Sequence, residues 1–430
     1  MGKYFSIKSI SKIIAVILAI IMLNFVLIQL NAVIEDNSVL SSADGSLKKT
    51  FPSNNQEIDN VEASANKSSS SVVIEESTLR VLGGFNKDMR LEMASTTKIM
   101  TALVAIENGE LDKKITVADE AVGVEGSSIY LKYDEIWTIR DLLYGLMLRS
   151  GNDSAVALAV AIGGSVDNFV KMMNDKADSL GLKNTHFENP NGLHGDNHYT
   201  SAYDLAVISA FAMRNEDFKK IVGTKMYTVE GNETHPTYYF ANKNKMLALY
   251  EGANGIKTGY TKDSGRCLVS SAERNGMQLI SVVLNIYDTY GTCSAGMDKA
   301  FEEYIPVEIG RKGDILESIK VGQENYEIAL ENTLVLPLKD GENLGLSCKF
   351  NIGEKFDLPL ESGSAIGKLE FYDDNRLLFS ANIVNIDKIN DLGVLRKLSA
   401  YVGDWRVSYT DGKTEQIFSV YGGGVEKERG

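Results

Sequence analysis

The sequence predicts an α/β (α+β) fold, a mixed domain of helices flanking an antiparallel sheet, followed by a small all-β domain. Three observations carry this. Amphipathic helical patterns recur between Ser95 and Met213. Two apolar runs, CLVSSAE and QLISVVLNI, meet at Asn275-Gly276, the signal for a type I′ hairpin. From Pro306 the texture changes to short alternating runs (YEIALENTLVLPL, LSCKFNI, AIGKLEFY, RLLFSANIV) divided by turns such as Lys339-Asp340-Gly341.

Composition bounds the rest. A chain of 430 residues accommodates about two or three domains. A net charge of -14 with no basic run argues against nucleic acid as a partner. Three widely spaced cysteines, Cys267, Cys293 and Cys348, exclude a disulfide framework and a cysteine-based zinc knuckle, while a single disulfide stays open. No metal site and no cofactor are expected: His194 and His198 are four apart, but they lie in turn chemistry (NTHFENPNGLHGDNHYT) with no third ligand in the sequence.

The elements follow in order. Lys3, Lys8 and Lys12 precede an apolar run from Ile13 to about Leu30, so residues 1–34 read as a signal peptide or a retained membrane anchor. Residues 35–70 are rich in Ser, Asn and charge, and read as a disordered linker. VVIEE and TLRVLGGF then read as two strands. MASTTKIMTALVAIEN reads as a loop entering an amphipathic helix, with Ser95 at the entry and Lys98 on the same first turn. Two readings fit: a capped core helix with one solvated lysine, or a nucleophilic serine beside an amine that takes its proton. Trp137–Arg149 reads as one helix, broken by Ser150-Gly151-Asn152 before the next begins at Ser154. Asn152 is either the cap of that helix or a site residue. Asp167–Leu180 and Ser201–Met213 are further helices, and Met226–Tyr250 is a loop with a hairpin. Lys257-Thr258-Gly259 falls on a sheet edge or leads into it, and Gly259 permits close backbone approach.

Each triplet is weak alone. Together, Ser95-x-x-Lys98, Ser150-x-Asn152 and Lys257-Thr258-Gly259 occur in the order used by penicillin-recognising serine enzymes. Their flanks extend the match: ASTTKIMTA, LMLRSGNDSAVALA, ENPNGLHG and GIKTGYTKDSGRCLVSSA. Over about Ser71–Tyr304 the chain resembles the low-molecular-mass penicillin-binding proteins, the serine-type D-alanyl-D-alanine carboxypeptidases. It departs from them where Met93 replaces a usual Pro and Tyr260 a frequent His.

The resemblance implies a penicillin-binding-protein/β-lactamase-like catalytic domain at 71–304, a β-rich domain at 305–387 and a tail at 388–430. It implies an enzyme acting outside the cytoplasm on peptidoglycan stem peptides ending in D-Ala-D-Ala, and acylated by β-lactams. Ser95 would be the nucleophile, Lys98 the base held neutral by a cationic Lys257, and Ser150 a proton relay. Asn152, Lys257, Thr258 and Gly259 would bind substrate, with the Ser95 and Tyr260 N–H groups as an oxyanion hole. In the tail, Ile386, Ile389, Leu392, Leu395 and Leu398 suggest either an amphipathic helix on the membrane or one packed on the β domain, with a long polar end, Gly403–Gly430. A secreted β-lactamase (with Glu188 as the deacylating carboxylate), a transpeptidase and a non-catalytic wall-binding protein are the rival functions.

Overall fold

The computed structural model describes residues 68–321, 324–352, 359–373, 376–390 and 402–421. The expected leader and nearly all of the expected linker lie outside these residues. The first domain runs β1 (Ser70–Glu75), β2 (Val81–Phe85), α1 (Lys98–Asn108), β3 (Lys114–Thr116), β4 (Ile136–Thr138), α2 (Ile139–Tyr144), α3 (Asn152–Gly163), α4 (Val166–Ser179), α5 (Ala202–Met213) and α6 (Glu216–Gly223). It continues with the hairpin β5 (Met226–Val229) and β6 (Tyr238–Ala241), α7 (Met246–Leu249), β7 (Ala253–Thr261), β8 (Gly265–Arg274), β9 (Met277–Leu284) and α8 (Thr289–Glu303).

Five strands form one antiparallel sheet in the order β2-β1-β9-β8-β7. Asn275 and Gly276 both have positive φ, as the type I′ turn between β8 and β9 requires. The sheet is covered on both faces. Val72, Ile74, Ile280 and Val282 pack with the helical layer that includes α1, α3 and α5. Val73, Leu268, Leu279 and Val283 pack against Cys293 and Met297 of α8. Double coverage is why QLISVVLNI is a continuous apolar run and not a strict alternation. One edge of the sheet is β2, and the other is β7, which carries Lys257-Thr258-Gly259.

One helix differs from expectation. Trp137 belongs to β4, where it pairs with Ile115, and α2 starts only at Ile139. The Thr138 side chain accepts from Asp141 N, and this cap stops the helix from extending backwards. The helix then widens into a π turn at Gly145–Arg149 and ends at Ser150 in the left-handed region, φ 64° and ψ 33°.

The second domain comprises β10 (Ile305–Gly310), β11 (Ile315–Val321), β12 (Glu324–Leu330), β13 (Leu334–Leu338), β14 (Asn343–Ile352), β15 (Ala365–Asp373), β16 (Arg376–Asn385), β17 (Val402–Thr410) and β18 (Lys413–Tyr421). β10 pairs with β13, and the others form a seven-stranded sheet ordered β11-β12-β16-β15-β14-β17-β18. The β17–β18 hairpin joins this sheet, so residues 402–421 of the expected tail belong to it. Val407 and Tyr409 face the core while Arg406 and Thr410 are exposed, the alternation of a strand. Ile389 is buried and bridges Leu360. The rest of the proposed amphipathic stretch, 391–401, lies outside the described residues. All three cysteines are buried and none is bonded to another, so the open disulfide does not form.

The two domains meet at a hydrogen-bonded joint. Ser77 Oγ accepts from Val335 N at 2.8 Å. Arg80 reaches the Pro337 carbonyl and the Glu342 carboxylate, and Lys339 pairs with Glu303 at 2.7 Å. Beneath the joint, buried Glu75 accepts from Ser77 N at 3.0 Å and Thr78 N at 2.8 Å. Burial pushes its carboxyl up to about 7.

Candidate active site

The turn that carries Ser95 precedes the helix instead of capping it. Ala94–Thr97 is a short 3-10 turn, α1 begins at Lys98, and the Ser95 side chain makes no cap. Lys98 is 0% exposed, which removes the solvated-lysine reading. Its Nζ lies 3.0 Å from Ser95 Oγ, 2.7 Å from Asn152 Oδ1 and within hydrogen-bond reach of the Asn191 carbonyl.

These contacts define the protonation chemistry. Asn152 Nδ2 donates to the Glu125 carbonyl, so its Oδ1 must face Lys98 as an acceptor. The Asn191 carbonyl can only accept. A neutral amine has two N–H donors, which these acceptors use, and its lone pair is left facing the Ser95 hydroxyl. Burial first, and the charges of Lys257 and Lys243 second, hold the Lys98 ammonium well below its usual range. This corrects the expectation that Lys257 is the main cause. Lys257 is itself 2% exposed and is lowered to about 7 by burial and by Lys243.

The remaining expected residues surround this pair. Ser150 is 6% exposed, its αL backbone joining the π turn to α3. Asn152 opens α3 behind an N-cap at Gly151, so it is not the cap. Its backbone N–H bonds the Ser127 carbonyl at 2.7 Å. Lys257 donates to the Thr258 carbonyl at 3.0 Å. A Cβ on Gly259 would sit 3.2 Å from the Ser95 nitrogen and 3.1 Å from Met93 O, so this glycine is what lets the edge strand and the Ser95 turn meet. The Tyr260 side chain is 66% exposed, leaving its backbone as the part that can serve the site.

Several contributors were missed. Asn191 acts through its main-chain carbonyl, which no side-chain pattern signals. Lys243, whose Nζ lies 3.4 Å from Ser127 Oγ, acts by charge. Asp153, one residue past Asn152 in the quoted flank, is buried and accepts from Ile129 N and Leu131 N, fixing the loop that carries Ser127. His194 and His198 do not converge. His198 is buried, whereas His194 turns outward to Glu92 at 2.8 Å. At the surface, ligand atoms of Glu92, His194 and Asp263 lie within 4.8 Å of one another. Glu188, the carboxylate a β-lactamase would need, accepts from Asn197 N on an exposed loop.

Comparison with known proteins adds independent findings. Residues 57–287 match the family described as D-alanyl-D-alanine carboxypeptidase, and residues 304–390 match the penicillin-binding protein 5 C-terminal domain. The chain is 32% identical over 353 residues to D-alanyl-D-alanine carboxypeptidase DacF of Bacillus subtilis, covering 79% of this chain and 90% of that protein. It is 32% identical over 355 residues to DacA of Haemophilus influenzae, covering 76% and 85%. Among solved structures, DacD from Francisella tularensis superposes with a TM-score of 0.54 at 25% identity, over 76% of this chain and 94% of that one. A mutant of the Streptomyces K15 DD-transpeptidase gives 0.52 at 34% identity, over 54% and 97%.

Proposed function

Since the chain belongs to the D-alanyl-D-alanine carboxypeptidase family, we propose that Ser95 and Lys98 are the reacting pair of this hydrolase. Its substrate class is peptidoglycan stem peptides ending in D-Ala-D-Ala, and it acts outside the cytoplasm. The observation that carries the residue assignment is the arrangement around Lys98. Two neutral acceptors use its donors, and the remaining valence faces Ser95 Oγ.

Ser95 Oγ attacks the carbonyl between the two D-alanines while Lys98 takes its proton. The N–H groups of Ser95 and Tyr260 receive the developing oxyanion, each such donor being worth about 2.7–4 kcal/mol. The C–N bond breaks, Ser150 relays the proton to the leaving amine, and D-alanine departs. Water, deprotonated by Lys98, then cleaves the Ser95 ester to release the tetrapeptide and restore the hydroxyl. Asn152 orients the substrate amide, while Lys257 and Thr258 hold the terminal carboxylate by charge-assisted bonds. β-Lactams present a strained amide in the same place and acylate Ser95. Residues 71–304 form the catalytic unit, and residues 305–387, extended by the β17–β18 hairpin, a separate β unit. The apolar N-terminal run supports export with cleavage or retention of a membrane anchor, ahead of a linker at 35–70.

The test is intact-mass analysis of the exported domain after benzylpenicillin, beside Ser95→Ala. A single adduct on wild type, absent in the variant, together with D-alanine release from a D-Ala-D-Ala peptide, is the expected result. Penicillin hydrolysed without an adduct would support the β-lactamase instead.

A further inference from the structure

His198 is a buried titratable group that this mechanism leaves without a task. It is 3% exposed, with Phe187 edge-on to its ring. Its hydrogen bonds define one tautomer. Glu188 N donates to Nδ1 at 3.0 Å, so Nδ1 carries no proton. In a neutral imidazole the proton is then on Nε2, which lies 2.8 Å from Thr97 Oγ1 and donates to it. Thr97 Oγ1 in turn donates to the Ala94 carbonyl at 2.8 Å. Ala94, next to Ser95, is held at φ 48°, a left-handed conformation that residues with a Cβ rarely adopt.

The relay therefore joins two segments that bracket Lys98. One is the nucleophile turn, reached through Nε2 and Thr97. The other is the Glu188–Gly192 loop, reached through Nδ1, which carries the Asn191 carbonyl that accepts from Lys98. The two segments are already in close contact. A Cβ on Gly192 would lie 1.9 Å from Ala94 O, and Thr101 Oγ1 ties the Pro190 carbonyl to α1 at 2.6 Å.

We infer that His198 is a positioning residue of the reaction: its imidazole bridges the nucleophile turn to the Asn191 loop and so sets the geometry in which Lys98 faces Ser95. Burial keeps the ring neutral by lowering it to about 4, and His186, Lys98 and His194 act in the same direction. A cation at this point would oppose the proton transfer to Lys98. A protonated Nδ1 would also face the Glu188 N–H, donor against donor.

The inference rests on Ser95 and Lys98 being the reacting pair, and the test separates the two. Active sites are first counted by the benzylpenicillin mass adduct. kcat and KM for a D-Ala-D-Ala peptide are then measured per titrated site in wild type, His198→Phe and His198→Gln. A misplacement near 1 Å lowers rate by about a hundredfold, so His198→Phe is expected to lose about tenfold or more in kcat. KM should stay near wild type, because the ring touches no substrate-binding group. Gln, which offers an acceptor and a donor at similar reach, should restore most of kcat. Should His198→Phe fail to fold, Thr97→Val removes the relay oxygen at nearly constant volume and should show the same kcat loss. Wild-type kcat per site in His198→Phe or Thr97→Val, or a change confined to KM, overturns the inference. So does an equal loss in His198→Phe and His198→Gln. No adduct on the wild type overturns the reacting-pair assignment and this inference with it.

Discussion

Lys98 and Lys257 are buried at 0% and 2% exposure, and the groups that receive their hydrogen bonds are all neutral. Such a placement opposes folding, because a buried ammonium loses hydration that uncharged acceptors only partly replace. The sign of the pH dependence follows. Lys257 titrates near 7 in the fold against 10.5 when unfolded. Between these values the unfolded chain holds a proton that the folded one has released, so its destabilising effect is full below 7 and fades as pH rises to 10.5. Lys257→Met is therefore expected to melt above wild type at pH 7, with the two curves converging toward pH 10.5. Thermal scans across that range check it, and the same variant should lose affinity for peptide. The Ser95–Lys98 spacing was legible in the sequence because one helical turn puts both side chains on one face. The lysine's burial and its Asn191 partner were not. Both depend on a loop almost a hundred residues further along the chain, and the contact is made by backbone.

At the scale of elements, glycine and caps decide more than helical periodicity does. Apolar spacing in Trp137–Arg149 fitted one helix, yet Thr138 competes for the backbone and starts α2 two residues late, leaving Trp137 to pair in β4. The period was right and the boundary wrong, since a cap is one hydrogen bond that a periodic pattern does not register. The hairpin at Asn275-Gly276 was readable because the turn residues themselves demand its φ values. Gly192 is the counterpart at the site. With φ 84° and no room for a Cβ beside Ala94 O, Gly192→Ala must push the loop off the nucleophile turn. The expected outcome is a penicillin acylation rate down by about a hundredfold, read by stopped mass analysis, with the far-ultraviolet spectrum unchanged.

Across the whole molecule, the β domain is gripped through a turn that a buried acid organises. Glu75 titrates near 7 in the fold against 4.5 unfolded. The folded state binds this proton more tightly, so stability falls as pH rises from 4.5 to 7. Glu75→Gln should be less stable overall, because Ser77 N and Thr78 N use different carboxyl oxygens and the NH2 that replaces one of them would face a donor, but it should lose that pH slope. Urea unfolding at pH 5 and pH 7.5 measures both effects. The existence of a β domain was legible from alternation alone; that it extends to Tyr421 was not, because β17 pairs with β14 across the 49 residues that separate the two strands. The sheet of the first domain ends at β7, a strand with one side unpaired. In most proteins an open edge invites any extended chain and is blunted by charge or cover. Here the turn that carries Ser95 stands beside it, and Lys257 lies on the strand itself. With the roles proposed above, the edge is a template with a stop at one end, registering the backbone of a stem peptide from its terminal carboxylate.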